Sequence, residues 1–243
     1  MAILLDALHQ KNEVVAALQK CRPGLLDMHL QPLDLEREEV LYESWTRRTW
    51  VYFPAGSVVS LVYETEEGRT SELAIVGREG MVGVRQLTGS DGTPMRAVVQ
   101  HAGRAHRTTG AVIRELFASS PEARELLLRY MQAHSAEIAQ TAVCNRHHSI
   151  EQQLCRWILT MLDRGSTRQL VMTHEMMSRM LGVRREGVTE VAGKLQQAGA
   201  IRYERGHMEV LDRPKLASLA CECYGVVRRQ LESLLPWMPR RQG

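Results

Sequence analysis

The stretch from Thr173 to Asp212, THEMMSRMLGVRREGVTEVAGKLQQAGAIRYERGHMEVLD, admits few folds. Thr173 can cap the free N–H groups of a first helix, Glu175 faces the positive end of its dipole, and Gly182 closes it just after Leu181. A second helix is expected to run to about Ala198, with Gly199 placed for a left-handed residue at its end. Its apolar positions Val188, Val191, Leu195 and Ala198 recur at helical spacing and form one packing stripe. Beyond Gly199, the run Ile201 to Leu211 alternates around Gly206 and reads as a β-hairpin.

The other face of the second helix holds Arg184, Arg185, Glu186, Thr189 and Glu190. A short helix with such a polar tip, held against a preceding helix, suits a DNA major groove. There Arg pairs bidentately with guanine and Glu accepts from the cytosine amino group. The hairpin would act as a wing whose tip brings Arg205 to a phosphate, with Arg184 as a further backbone contact. The plain alternative is an ordinary helix pair with a solvated charged face.

Net charge adds little. The 243 residues carry a formal +3 and 44% hydrophobic content, which supports one or two globular domains. The basic character is local, with Arg179, Arg184, Arg185, Lys194, Arg202 and Arg205 close in sequence. No run approaches the ~18 apolar residues of a membrane span, and MAILLDALHQK lacks the form of a signal peptide, so a cytoplasmic protein without a membrane partner is expected. No HExxH, phosphate loop or nucleophile–base order appears, so the chain is not read as an enzyme.

Upstream, residues 1 to about 32 read as helix and loop, with Val14, Ala17, Leu18 and Cys21 on one stripe. The period then changes. Trp50–Phe53, Val58–Glu64, Thr70–Val76, Met95–His101 and Arg104–Thr109 read as short strands between Gly and Pro turns, which indicates an antiparallel barrel or jelly roll. From about Glu122 to His148 runs the longest helical signal. Leu127, Met131, His134, Ile138, Thr141 and Asn145 alternate at spacings of 4 and 3, a heptad seam expected to join two chains in a parallel dimer. A break near Ser149 precedes a helix of about Ile150 to Asp163 that buries Leu154, Trp157, Ile158, Met161 and Leu162. The expected division is 1–118, 119–149 and 150–243.

The five cysteines make neither a disulfide framework nor a spaced zinc quartet. Cys221 and Cys223, two apart in an apparently helical segment, would point to different faces. Cys144 and His148 share a helix face, but two ligands do not hold a structural metal. All four are read as packing residues, and neither metal nor cofactor is assigned.

The order of these parts resembles the Crp/Fnr (catabolite activator/Fnr) family of bacterial transcription regulators over nearly the whole chain. The resemblance is carried by VYFPAGSVVSLVYETEEG, GREGMVG, the long helix, IEQQLCRWIL, and VMTHEMMSRMLGVRREGVTEVAGKLQQAGAI followed by a wing. It implies an α+β chain: a cyclic-nucleotide-binding-like β-roll, a central dimerisation helix, and a C-terminal winged helix-turn-helix. The implied partners are double-stranded promoter DNA with a palindromic site, a second copy of the chain, and RNA polymerase. The family's base-reading Arg-Glu pair falls on Arg185 and Glu186, and a second base-facing position on Glu190, where the catabolite activator has an arginine. Its phosphate contacts fall on Thr173 and Arg205.

The effector half departs from that pattern. The Gly-Glu pair of cyclic-nucleotide binders falls on Gly83 and Val84, and their Arg-Ser pair near Thr93 and Pro94, where Arg96 is the nearby cation considered. A buried cyclic phosphate without a placed arginine is poorly compensated, so cyclic AMP is not expected as the effector. Only Cys21 precedes residue 144, so the cysteine cluster of iron–sulfur relatives is missing, and no histidine is marked as a haem ligand. The effector stays unnamed, whether another small molecule or none. The competing functional reading is a ligand-binding or protein-interaction roll with weak nonspecific DNA binding.

Overall fold

Asn12 does two jobs. Its side chain accepts from the Val15 N–H, capping α1 (Glu13–Cys21), and donates to the carbonyls of Pro54 and Gly80 at 2.8 and 3.0 Å. The helix is thus pinned to the sheets it covers. The computed structural model describes residues 12–46, 49–89, 92–165 and 169–238.

Seven strands follow in two antiparallel sheets. They are β1 (Gln31–Leu35), β2 (Val40–Tyr42), β3 (Trp50–Pro54), β4 (Val58–Glu64), β5 (Thr70–Val76), β6 (Met95–His101) and β7 (Gly103–Thr109). One sheet runs β1-β7-β3 and the other β2-β6-β4-β5, with Leu35, Tyr52, Leu61, Val76, Val99 and Ala105 among the side chains that fill the space between them. The five strands expected from sequence are present, with bounds kept at β4, β5 and β6. β1 and β2 lie outside the strands expected from sequence; β1 buries only Leu35 and β2 buries nothing fully, so neither shows a readable alternation.

Helix α2 (Gly110–Ser119) leads to Ser120, whose hydroxyl accepts from Ala123 N–H to start α3 (Pro121–His147). The expected seam of α3 turns out to face its own chain. Leu127 packs with Val14, Phe53 and Leu116; Ile138 packs on the interior of the roll; His134 and Thr141 are buried; and Met131 is half-buried in the same cluster as Leu127. Of that set only Asn145 is exposed. The apolar strip covers the roll, and the outward strip lies one residue further round.

Ser149 and Gln152 form a reciprocal capping box that opens α4 (Ile150–Arg164). Then come β8 (Gln169–Val171), α5 (His174–Leu181), α6 (Arg185–Gln197), β9 (Ile201–Glu204), β10 (His207–Val210), α7 (Arg213–Leu219) and α8 (Cys223–Leu234). A three-stranded sheet β8-β10-β9 forms the wing. Leu154, Trp157, Ile158, Met177, Leu181, Val188 and Leu195 share one core, which also takes in Val58 and Ile75 of the roll. Roll and reader therefore pack on each other. Ala198, expected in the α6 stripe, is exposed at the helix end, and Ala192 is buried instead.

The C-terminal helix α8, grouped with the reader in the sequence division, places Val227, Leu231 and Leu235 in the cluster of Val14, Leu18 and Leu127. Cys221 is not in a helix: α7 ends at Leu219, and Cys221 lies in the link before Cys223 opens α8. The argument that kept Cys221 and Cys223 on different faces of one helix fails for that reason, and both turn towards Cys144. Among the described residues no helix is long and apolar enough to cross a membrane.

Candidate nucleic-acid interface

Thr173 Oγ1 accepts the Met176 N–H at 3.1 Å and so starts α5 as its sequence position suggests. The helix closes on Gly182 at φ 66°, a left-handed residue that comes against Ser71 and Thr70 of the roll. After that short turn, Arg184 stands at the N-cap of α6 without a side-chain cap, which leaves backbone N–H groups at the positive end of the helix. Val188, Val191 and Leu195 point into the core, so Arg184, Arg185, Glu186 and Glu190 are exposed on the other face. In the wing, Arg205 at φ 47° and Gly206 at φ 84° form a tight turn of left-handed residues, with Arg205 exposed at its tip.

Thr189 is engaged within the fold. Its hydroxyl donates to the Arg185 carbonyl at 3.0 Å, so the His174 Nδ1 at 2.9 Å must be the donor to it. The His174 ring stacks on Tyr203 with centroids 4.5 Å apart, and Tyr203 donates its hydroxyl to the Met172 carbonyl at 3.1 Å. Partial burial, with Arg185 nearby, lowers the pKa of His174 and favours the neutral ring. His174 therefore ties α5, α6 and the wing into one unit. The sequence reading passed over it, because a histidine at the first position of a helix carries no periodic signal.

Glu190 is bound to Lys194 at 2.7 Å one turn along α6, and the Lys194 hydrogen bond draws its carboxyl below the ordinary range. Reading a base with Glu190 requires parting this pair. The turn of the β4–β5 hairpin, Gly68 to Thr70, lines a groove of about 800 Å³ together with Arg179, Arg184, Arg185 and Glu186. Thr70 donates to the Arg179 carbonyl at 3.1 Å across it.

Roll and reader also meet through buried charge. Trp157 donates to Glu72 at 2.7 Å, and Glu72 also accepts from Ser60. Burial raises the Glu72 carboxyl to about 7. Arg164 of α4 is 3.3 Å from Glu79 and 2.9 Å from Glu137. Burial alone would lower the pKa of Arg164, but these two carboxylates hold it above its usual value.

The residues expected to bind an effector are differently placed. Gly83, at φ 99°, starts a 3-10 turn (Val84–Thr88), and a Cβ there would approach the Trp50 carbonyl to 3.1 Å. Val84 packs beside the α1 cluster. Arg96 is drawn to Glu43 at 3.3 Å and Glu64 at 3.6 Å, which satisfies its charge within the sheet. The cation that reaches buried Thr93 is Arg85, which donates to its hydroxyl at 3.3 Å. That contact was not foreseen.

Residues 152–219 match the family model of the Crp-like helix-turn-helix domain. No curated protein matches the chain. Among solved structures, it is similar to FixK2 from Bradyrhizobium japonicum, with a TM-score of 0.67, 13% identity, and coverage of 79% of this chain and 98% of that one. A CRP/FNR-family transcriptional regulator from Thermus thermophilus gives 0.63 at 22% identity, covering 78% and 98%. The c-di-GMP-responsive global regulator CLP of Xanthomonas campestris gives 0.59 at 17% identity, covering 77% and 98%. At these identities the likeness is one of fold.

Proposed function

From a chain with the Crp/Fnr regulator fold and a Crp-like helix-turn-helix domain, we propose a transcription regulator that binds a palindromic promoter site as a homodimer, with an effector domain that does not use cyclic AMP. The observation that carries this reading is the exposed tip of α6, where Arg184, Arg185 and Glu186 stand at an uncapped helix start. Arg185 pairs with guanine, Glu186 accepts from a cytosine amino group, and Glu190 meets a further base after leaving Lys194. Thr173, Arg184 and Arg205 hold phosphates. Thr189, its hydroxyl engaged by His174, offers its methyl group to the groove and keeps the α6 tip in position.

Pairing of two chains is supported by the outward strip of α3. Leu128, Gln132, Ser135, Ala139, Ala142 and Arg146 are exposed and follow one another at alternating spacings of 4 and 3. Leu128 and the neighbouring Val143 are 49% and 48% exposed in the single chain, a cost that a second copy removes. Two readers related by a two-fold axis then face inverted half-sites about 34–36 Å apart. The effector reading is supported by Val84, where the Gly-Glu pair of cyclic-nucleotide binders has its glutamate, and by the commitment of Arg96 to two carboxylates.

Selection from randomised duplex DNA with the purified chain, followed by footprinting, tests the proposal. An enriched inverted repeat is expected. Retention of random and selected DNA with equal affinity and equal salt dependence would refute sequence reading, since phosphate attraction alone carries no sequence information.

A further inference from the structure

Cys144 and His148 stand one turn apart at the end of α3, and Cys221 and Cys223 flank Glu222 in the link from α7 into α8. The fold brings these four together. The sulfurs of Cys144 and Cys221 are 3.5 Å apart, His148 Nδ1 is 3.5 Å from the Cys223 sulfur, and all four donor atoms lie within 4.8 Å of one another. A tetrahedral ion with metal–sulfur bonds of about 2.3 Å and a metal–nitrogen bond of about 2.0–2.1 Å sets its donors about 3.5–3.8 Å apart. Two of the observed separations already have that length. The cysteines are free, and 3.5 Å is far from the ~2.05 Å of a disulfide.

We propose that Cys144, His148, Cys221 and Cys223 form a structural zinc site. Three thiolates and an imidazole gathered within 4.8 Å are a zinc donor set, softer than magnesium or calcium accept. The surroundings support it. His148 Nε2 is 3.1 Å from the Glu222 carboxylate, which fixes the ring with Nδ1 turned to the sulfurs, the carboxylate–histidine arrangement common around zinc. Gln140 donates its amide to the Cys223 sulfur at 3.0 Å, which offsets thiolate charge. Cys144, Cys221 and Cys223 are at most 4% exposed, so four protein ligands close the coordination and the role is structural rather than hydrolytic. Zn²⁺ displaces the three thiol protons to solvent and leaves a site of net charge −1.

The place of the site gives it a purpose. Two ligands lie just before Ser149, where the reader begins, and two just after α7, where it ends. The ion staples the chain's way into the reader to its way out and holds α8 against α3.

The test uses the full chain, made without a polyhistidine tag in zinc-supplemented medium. Elemental analysis is expected to find one zinc per chain retained through dialysis. Exchange for Co²⁺ is expected to give the near-ultraviolet sulfur-to-metal absorption of a tetrahedral thiolate site, reduced in Cys223→Ser and again in the double variant with Cys144→Ser. Glu222→Gln, which touches no ligand bond, should weaken zinc by about 10- to 100-fold and keeps the test open if a serine variant does not fold. Wild-type protein that retains no zinc and gives no thiolate band with Co²⁺, or native protein with a Cys144–Cys221 disulfide, would overturn the site.

Discussion

Trp157 donates its indole N–H to Glu72 at 2.7 Å, joining the first helix of the reader to strand β5 of the roll between two almost wholly buried side chains. Burial, with Glu137 acting in the same direction, outweighs the hydrogen bonds from Ser60 and Trp157 and the charge of Arg156, and raises the group to about 7.

Stability should therefore depend on pH through Glu72. Below its ordinary value of 4.5 both the folded and unfolded chains hold the proton. Between 4.5 and about 7 the unfolded chain releases it while the folded chain keeps it, so stability falls as pH rises and levels off above about 7. The loss reaches about 3 kcal/mol at most. Glu72→Gln keeps an acceptor for Trp157 and should remove this slope. Chemical denaturation of both proteins across the window measures it, and parallel curves would contradict the assignment.

Base reading and phosphate holding separate at Arg185 and Arg205. Arg185→Ala should cost about 1–3 kcal/mol on the selected site and far less on random DNA. Arg205→Ala should weaken both to a similar degree and lower the salt slope by about one contact. Titration at several salt concentrations checks both, and equal losses on the two DNAs for Arg185→Ala would remove it from base reading.

The two strips of α3 predict different outcomes. Ala139→Asp places a charge on the outward strip and should dissociate the dimer while leaving the single chain folded. Ile138→Asp places it against the roll interior and should instead unfold the chain, by several kcal/mol. Sedimentation combined with thermal melting tells them apart. An Ala139→Asp protein that stays dimeric would exclude this helix face.

Cyclic AMP and cyclic GMP should bind no more tightly than about 1 mM, because a buried phosphate lacks a bidentate partner. Calorimetric titration measures this directly. Micromolar binding lost in Arg85→Ala or Arg96→Ala would reverse the conclusion and identify the arginine that holds the phosphate.

Legibility of the sequence followed the length and two-sidedness of each element. β4, β5 and β6 were found because each runs seven residues between turn residues, whereas β8 has three residues and buries only Leu170. α3 was found, but two strips with the same spacing run along it. Leu127 and Ile138 looked like the partner face because apolar side chains mark burial without saying against what. The exposure of Arg184, Arg185, Glu186 and Arg205 was legible since charge at a helix tip or hairpin turn has no internal use. The grouping of Cys144 and His148 with Cys221 and Cys223 was not, because a whole folded unit separates the two pairs and local spacing holds no record of its closure.

That closure has a mechanical consequence. The strands of chain that enter and leave residues 149–220 are held side by side, bound across by the contact of His148 with Glu222 and the Cys144–Cys221 approach. The unit between them also shares its core with Val58 and Ile75 of the roll, so it is held across its face as well as at its two ends. Its orientation is fixed there and at the rim, where Arg37 donates to the Val171 carbonyl and Thr70 to that of Arg179, while Trp157 donates to Glu72 in the interior. A graft made across these two ends would find them already adjacent, but it would also remove the packing partners of Val58 and Ile75.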